Sequence, residues 1–313
     1  MVEQRPSCGA HPPARHLFLG SKALGLRICE AVLSTSRHAF DRIATIDDRN
    51  DARSVYADFL ALSDRHGVDV EVLAKHSDLV SLIGSGTKAV LVCGYYRLLS
   101  EELLDQPEKG FIGIHNSLLP KYRGGAPLVW SMMNGDEQVG SSLFRLSGGV
   151  DDGPVFHQWR IALSRQVAIG DVLAELEASI GNDIAALWDG IIEGSLHGHP
   201  QDEGQATYSA QRKPEDGRID WSLPASTLHN FIRAQSKPYP GAYFLHGQEK
   251  VHVHRSSVFE RPYAATPGQV LHIDDHALTV GCGGNGAIVI GELMREGNPL
   301  PVRECFKSLS IRL

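Results

Sequence analysis

Gly113-Ile114-His115-Asn116-Ser117-Leu118-Leu119-Pro120-Lys121-Tyr122-Arg123-Gly124-Gly125-Ala126-Pro127 runs from an apolar segment into a histidine, a Leu-Leu-Pro stop and a glycine-rich turn. A β-rich apolar run that ends on a polar side chain and then breaks is how a buried strand delivers that side chain to the edge of a sheet. Further along, Gly149-Val150-Asp151-Asp152-Gly153 sets a carboxylate on a loop. A histidine at a strand end with a carboxylate nearby is a common way for α/β enzymes to assemble a proton-transfer site.

Upstream of this stretch, strands and helices alternate. Residues 88–94 form the strongest buried-strand pattern, an apolar run ending in Gly94. Residues 16–20, 40–46, 68–73 and 110–114 read as further strands, separated by helical patterns over 23–33, 55–66, 78–83 and 100–104. Val55, Phe59 and Leu62 share one helical face, and Ser100 precedes Glu101 and Glu102 as a helix start. Such alternation predicts a Rossmann-like parallel sheet with right-handed crossovers, its chemistry at the carboxyl ends of the strands. His115 falls at such an end.

Downstream, 128–134 and 171–193 read as helices, the latter with Val172, Leu176, Ile180 and Ile184 on its apolar stripe. Residues 197–216 are rich in Gly, Pro, Gln and charge and read as a linker. After a helix over 226–234, short strands at 242–245, 250–256, 268–273, 277–282 and 287–293 predict a small, OB-like β-barrel. The expected organisation is a disordered lead-in over 1–15, a catalytic domain over 16–196, a linker over 197–216 and a β domain over 217–313.

The whole chain fits a protein of the cytoplasm. Its 313 residues suffice for two cores, and 42% hydrophobic with 21% charged residues is ordinary for a globular protein. A net charge of −7 argues against a general binder of nucleic acid or anionic membrane. Cys8, Cys29, Cys93, Cys282 and Cys305 are scattered, with no CxxC pair, and read as free thiols without structural zinc. His252 and His254 alternate on a strand without a third ligand and read as surface histidines. No metal is expected. Gly20-Ser21-Lys22 is no dinucleotide fingerprint.

Taken together, these blocks resemble the formyltransferases that use N10-formyltetrahydrofolate, among them the methionyl-tRNA and UDP-aminoarabinose enzymes. The likeness runs from about residue 17 to 300. It rests on residues 113–120, on Tyr122-Arg123-Gly124, on Asn134-Gly135-Asp136 and on residues 149–153. In the second half it rests on Ala206-Thr207-Tyr208, on residues 214–221 and on Pro238-Tyr239-Pro240-Gly241-Ala242. The resemblance implies that an amine attacks the formyl carbon of N10-formyltetrahydrofolate, the co-substrate, through a tetrahedral oxyanion. His115 would donate to the oxyanion, and Asp151 would set the charge on His115 and relay protons. Asp152 is expected to be solvated, and Ser117 to cap the turn and brace His115.

The family's third group, an asparagine that holds the formyl oxygen, is Gly113 here. Losing one oxyanion donor typically costs about 10²- to 10³-fold in rate. Three readings stay open: Asn116 takes its place, a water or backbone N–H does, or the chemistry is lost or altered. The resemblance further implies that Tyr95, Tyr96, Arg97, Leu118, Val150 and Asp151 line the folate pocket. Gly20 and Ser21 would meet the amine substrate, and Lys121 and Arg123, near the pocket mouth, could meet phosphate or carboxylate groups or form a solvated face.

In the methionyl-tRNA enzymes a Lys/Arg/Gly-rich insertion follows the second strand, whereas residues 46–53 here are short and acid-rich. The expected acceptor is therefore a small amine, such as a nucleotide-linked aminosugar, an amino acid or a peptide intermediate. Methionyl-tRNA is the alternative. The second domain would be structural or would form a homodimer.

Overall fold

Strand β1 (His16–Gly20) and strand β4 (Ala89–Cys93) are buried along their whole length, as uninterrupted apolar runs require when both faces of a sheet are covered. The computed structural model describes residues 13–313, apart from the side chain of His76. Between these strands lie α1 (Lys22–Thr35), β2 (Arg42–Thr45), α2 (Tyr56–His66), β3 (Asp69–Val72) and α3 (His76–Leu82). After β4 come α4 (Glu101–Leu104) and β5 (Phe111–His115). The five strands pair in parallel in the order β3-β2-β1-β4-β5. The order reverses between β1 and β4, the place where open α/β sheets form a binding crevice.

The chain divides into two compact units that do not follow the sequence order. One comprises Met1–His115, Ser142–Trp159 and Glu177–Gly204; the other Asn116–Ser141, Arg160–Leu176 and Gln205–Leu313. The lead-in over 1–12 and Cys8 lie outside the described residues. Ala14 is buried and donates its N–H to the Leu82 carbonyl, so the ordered chain begins before 16.

The sheet is mixed rather than wholly parallel. After the two-residue β6 (Arg123–Gly124) and α5 (Pro127–Asn134) come β7 (Gln138–Arg145) and β8 (Val155–Ala162), which extend the order beyond β5. β7 runs antiparallel to β5, pairing His115 with Ser142 and Gly113 with Phe144. The sequence hid β7 because its centre, Gly140-Ser141-Ser142, has weak strand propensity. Its two serines are nonetheless fully buried. Helix α6 (Ile169–Glu193) follows.

In the second unit β6 pairs in parallel with β9 (Tyr208–Ser209). The Tyr122 N–H donates to Thr207 Oγ1 at 2.8 Å, and the Tyr122 hydroxyl donates to Asp136 at 2.9 Å. Three of the quoted motif blocks thus hold one another.

Past α7 (Ala225–Arg233), strands β10 (Ala242–His246), β11 (Glu249–Phe259), β12 (Val270–Ile273), β13 (Ala277–Cys282) and β14 (Gly286–Arg295) form an antiparallel sheet. Its order is β10-β11-β14-β13-β12, with β15 (Asn298–Pro299) on β14. The core under it includes Trp221, Leu228, Phe244, Val280 and Ile290. His252 and His254 are half-buried rather than on the surface, and burial, with Lys237 and His252 adding to it, lowers the pKa of His254.

Candidate active site

His115 is the last residue of β5, and the antiparallel pairing with β7 fixes its backbone. Its side chain is only 11% exposed and its ring meets Phe144 edge-on, with centroids 6.3 Å apart. Asp151 sits on the loop that follows β7, in the left-handed region at φ +48°. A non-glycine residue stays there only when its surroundings hold it. Its Oδ2 lies 3.5 Å from His115 Nδ1, within ion-pair range, and its side chain is 26% exposed. Two partly screened titratable groups, one at a strand end and one on a loop, can pass a proton between them and to a third group.

Side chains alternate along a strand, so Gly113 faces the same side as His115. That place is filled. A Cβ on Gly113 would lie 2.4 Å from Leu146 Cδ1 and 3.2 Å from Phe144 Cε1. Leu146 is half-buried and packs, with Tyr95 and Leu99, on the core between the sheet and its helices. The sequence had flagged the missing side chain at 113 but not the leucine that takes its space. No local signal links two residues 33 positions apart.

The other candidates in this unit fall around the same strand ends. Tyr95 is half-buried; burial raises its pKa and Arg97 acts against the rise. Tyr96 is exposed, as are Leu98 and Val150. Arg97 is half-buried. Asp152 is exposed, yet its carboxylate accepts a hydrogen bond from Ser147, so it shapes the loop instead of being merely solvated.

Gly20 and Ser21 stand where β1 meets β4. Ser21 is buried, its N–H donates to the Cys93 carbonyl and its hydroxyl to the Gly94 carbonyl. A Cβ on Gly94, which has φ +74°, would lie 2.4 Å from the Ser21 carbonyl oxygen, so only glycine fits this crossing. The Ser21 hydroxyl is therefore committed to joining the strand ends. Among the described residues no group of three or more His, Cys, Asp or Glu side chains could hold a metal.

Asn116, Leu118, Lys121 and Arg123 belong to the second unit. Asn116 accepts the Ser141 hydroxyl at 2.8 Å, and Ser117 donates to the Lys121 carbonyl at 2.6 Å, closing the turn. Leu118 is half-buried and Lys121 exposed. Arg123 is fully buried, beside the Tyr208 ring, and does not stand at a pocket mouth.

Residues 61–180 match the family model "Formyl transferase" and residues 212–310 match "Formyl transferase, C-terminal domain". The chain belongs to the formyl transferase family. A methionyl-tRNA formyltransferase of Solibacter usitatus (strain Ellin6076) is 33% identical over 296 residues, 90% of this chain and 91% of that protein. Among solved structures, the chain resembles WlaRD, a sugar 3N-formyl transferase determined with dTDP and 5-N-formyl-THF. The TM-score is 0.69 at 13% identity, over 92% of this chain and all of that one. It also resembles an N-formyltransferase of Helicobacter canadensis in complex with folinic acid and dTDP-3-aminofucose. There the TM-score is 0.67 at 15% identity, over 88% of this chain and 98% of that one. At such identities the structures speak to the fold. The family membership makes the protein a formyltransferase-family enzyme.

Proposed function

We propose that this formyltransferase moves a formyl group from N10-formyltetrahydrofolate to the amine of a small molecule. The observation that carries the reading is the His115–Asp151 pair at the carboxyl edge of β5. His115 donates a hydrogen bond to the developing oxyanion or takes the amine proton, and Asp151 orients the imidazole and relays the proton toward the leaving nitrogen of tetrahydrofolate.

The loops that follow β4 and β7 suit the co-substrate. Tyr96, Leu98 and Val150 leave apolar surface in water, as a site for flat aromatic rings does. N10-formyltetrahydrofolate, when bound, supplies the activated formyl group. Tyr95, Tyr96, Arg97 and Val150 would line its pocket, and Gly20 would leave room for the acceptor. Leu146 fills the space beside Gly113, so the donor that the family asparagine supplies would come from Asn116, a water or a backbone N–H. Asn116, whose Oδ1 accepts from Ser141, would have to donate through Nδ2 to take that role.

The acceptor follows from the segment after β2. Lys22 Nζ lies 2.6 Å from Asp48 and 2.8 Å from Asp51, Arg49 is 2.6 Å from Asp47, and Arg53 is 3.0 Å from Asp51. Hydrogen bonds from Arg53 and Lys22 hold the Asp51 carboxyl far below its usual range. Cations already matched by carboxylates have little attraction left for a polyphosphate backbone. The 33% identity to a methionyl-tRNA formyltransferase favours the second reading, in which methionyl-tRNA is the acceptor.

Release of tetrahydrofolate separates the two. Wild type, His115→Ala and Asp151→Asn would be assayed with N10-formyltetrahydrofolate and three acceptor classes: nucleotide-linked aminosugars, amino acids and methionyl-tRNA. Turnover with a small amine, lost roughly 10²-fold or more in either variant, supports the proposal. Turnover with methionyl-tRNA alone, falling steeply with salt, replaces it by the second reading. Undiminished activity in His115→Ala removes the histidine from the reaction.

A further inference from the structure

The loop that carries Asp151 is held from outside by a side chain in the segment that reads as linker. His199 and Val155 exchange both backbone hydrogen bonds in an antiparallel bridge, at 2.8 and 2.9 Å. Continuing that register by two residues sets Gln201 opposite Gly153. There the side chain takes over from the backbone: Gln201 Nε2 donates to the Asp151 carbonyl at 2.8 Å and to the Gly153 carbonyl at 2.7 Å. On the other side of the turn, the Arg145 N–H donates to the Pro154 carbonyl at 2.9 Å. A Cβ on Gly153 would lie 1.8 Å from the Arg145 carbonyl oxygen. Gly153 is thus pinned between the end of β7 and the Gln201 amide.

From this geometry we infer that Gln201 is a positioning residue for the reaction proposed above. Its two N–H groups clamp two carbonyls of one turn and keep Asp151 in its left-handed conformation, with Oδ2 facing His115 Nδ1. A primary amide suits the task because it carries two donors on one atom. Isosteric methionine has none, and glutamate would set oxygen against oxygen. The inference rests on the reading of His115 and Asp151 as the reacting pair. A purely structural role for Gln201 would show in the melting temperature and leave the pair untouched.

The test uses the full chain with 15N-labelled histidine, comparing wild type, Gln201→Met, Gln201→Lys and Asp151→Asn, with His115→Ala to assign the imidazole resonances. The Gln201→Met change is expected to move the His115 Nδ1 shift in the same direction as Asp151→Asn. Gln201→Lys, which restores N–H donors at similar reach, should recover part of the wild-type shift. With the first acceptor that wild type formylates, Gln201→Met should lower kcat roughly 10- to 100-fold, as misplacement of a reacting group does. KM for N10-formyltetrahydrofolate should change little. An Nδ1 shift that stays at its wild-type value in Gln201→Met, while Asp151→Asn moves it, overturns the inference; so does a shift that neither variant moves. A wild type without turnover on any acceptor defeats the formyl-transfer reading instead, and the imidazole shifts still judge Gln201.

Discussion

Gly113 and Leu146 act as one position. The glycine removes a side chain from the face of β5 that carries His115, and the leucine from the end of β7 fills the space. Restoring asparagine at 113 by itself forces Leu146 out of its rotamer, so Gly113→Asn is expected to lose about 1–3 kcal/mol of stability to overpacking. Gly113→Asn combined with Leu146→Ala should regain much of that loss, because the clash is with the tip of a flexible side chain. Chemical denaturation of the two variants checks the packing. Tetrahydrofolate release by the double variant then shows whether an amide donor raises the rate, as an added oxyanion donor should. A double variant no more stable than the single one would mean that the backbone of β7, and not Leu146, resists the new side chain.

The turn between α1 and β2 depends on α6. Asp189 is buried and accepts hydrogen bonds from the Ser36 hydroxyl at 2.5 Å, the Arg37 N–H at 3.1 Å and the His38 N–H at 3.2 Å. Trp188 donates its indole N–H to the His38 carbonyl at 2.8 Å. Burial acts to raise the Asp189 pKa, but the hydrogen bonds from Ser36, Arg37 and His38 outweigh it and hold the group below the usual carboxylate range. A depressed folded pKa contributes stability above the unfolded value of about 3.9, and that contribution fades as pH falls through the folded value. Asp189→Ala leaves those donors unsatisfied and should cost about 1–3 kcal/mol at pH 7. Urea denaturation at pH 7 and at pH 3 tests this: the difference between variant and wild type should shrink at the lower pH. An equal difference at both would detach the effect from the carboxylate's charge.

Each unit also holds a buried histidine that resists protonation. Burial lowers the pKa of His16, with Asp41 opposing and His38 and Arg15 adding to the shift. Burial likewise lowers that of His229, against the hydrogen bond to the Arg165 carbonyl and with Arg233 nearby. Below the unfolded value of about 6.5 the unfolded chain binds protons that the folded chain refuses, so stability falls as pH drops. Thermal melts between pH 7.5 and 5 should show a falling midpoint, with a shallower slope in His229→Gln. Parallel slopes in wild type and variant would assign the acid sensitivity elsewhere. Much of this molecule was legible in its residues. The short, β-branched apolar run 89–93 between breakers reads as a buried strand, Gly and Pro mark where such runs stop, and the motif blocks carry the family resemblance and His115 with Asp151. These are local signals, written by periodicity and turn chemistry. Contacts between residues far apart in the chain were settled by the fold. Gly-Ser-Ser became the middle of a buried strand because β5 needed a partner. Arg123 went inside, beside the Tyr208 ring. Leu146 closed the place beside His115, and Gln201 reached back from a polar stretch to hold the turn of Asp151. Each depends on long-range packing and hydrogen bonding, which no window of sequence contains.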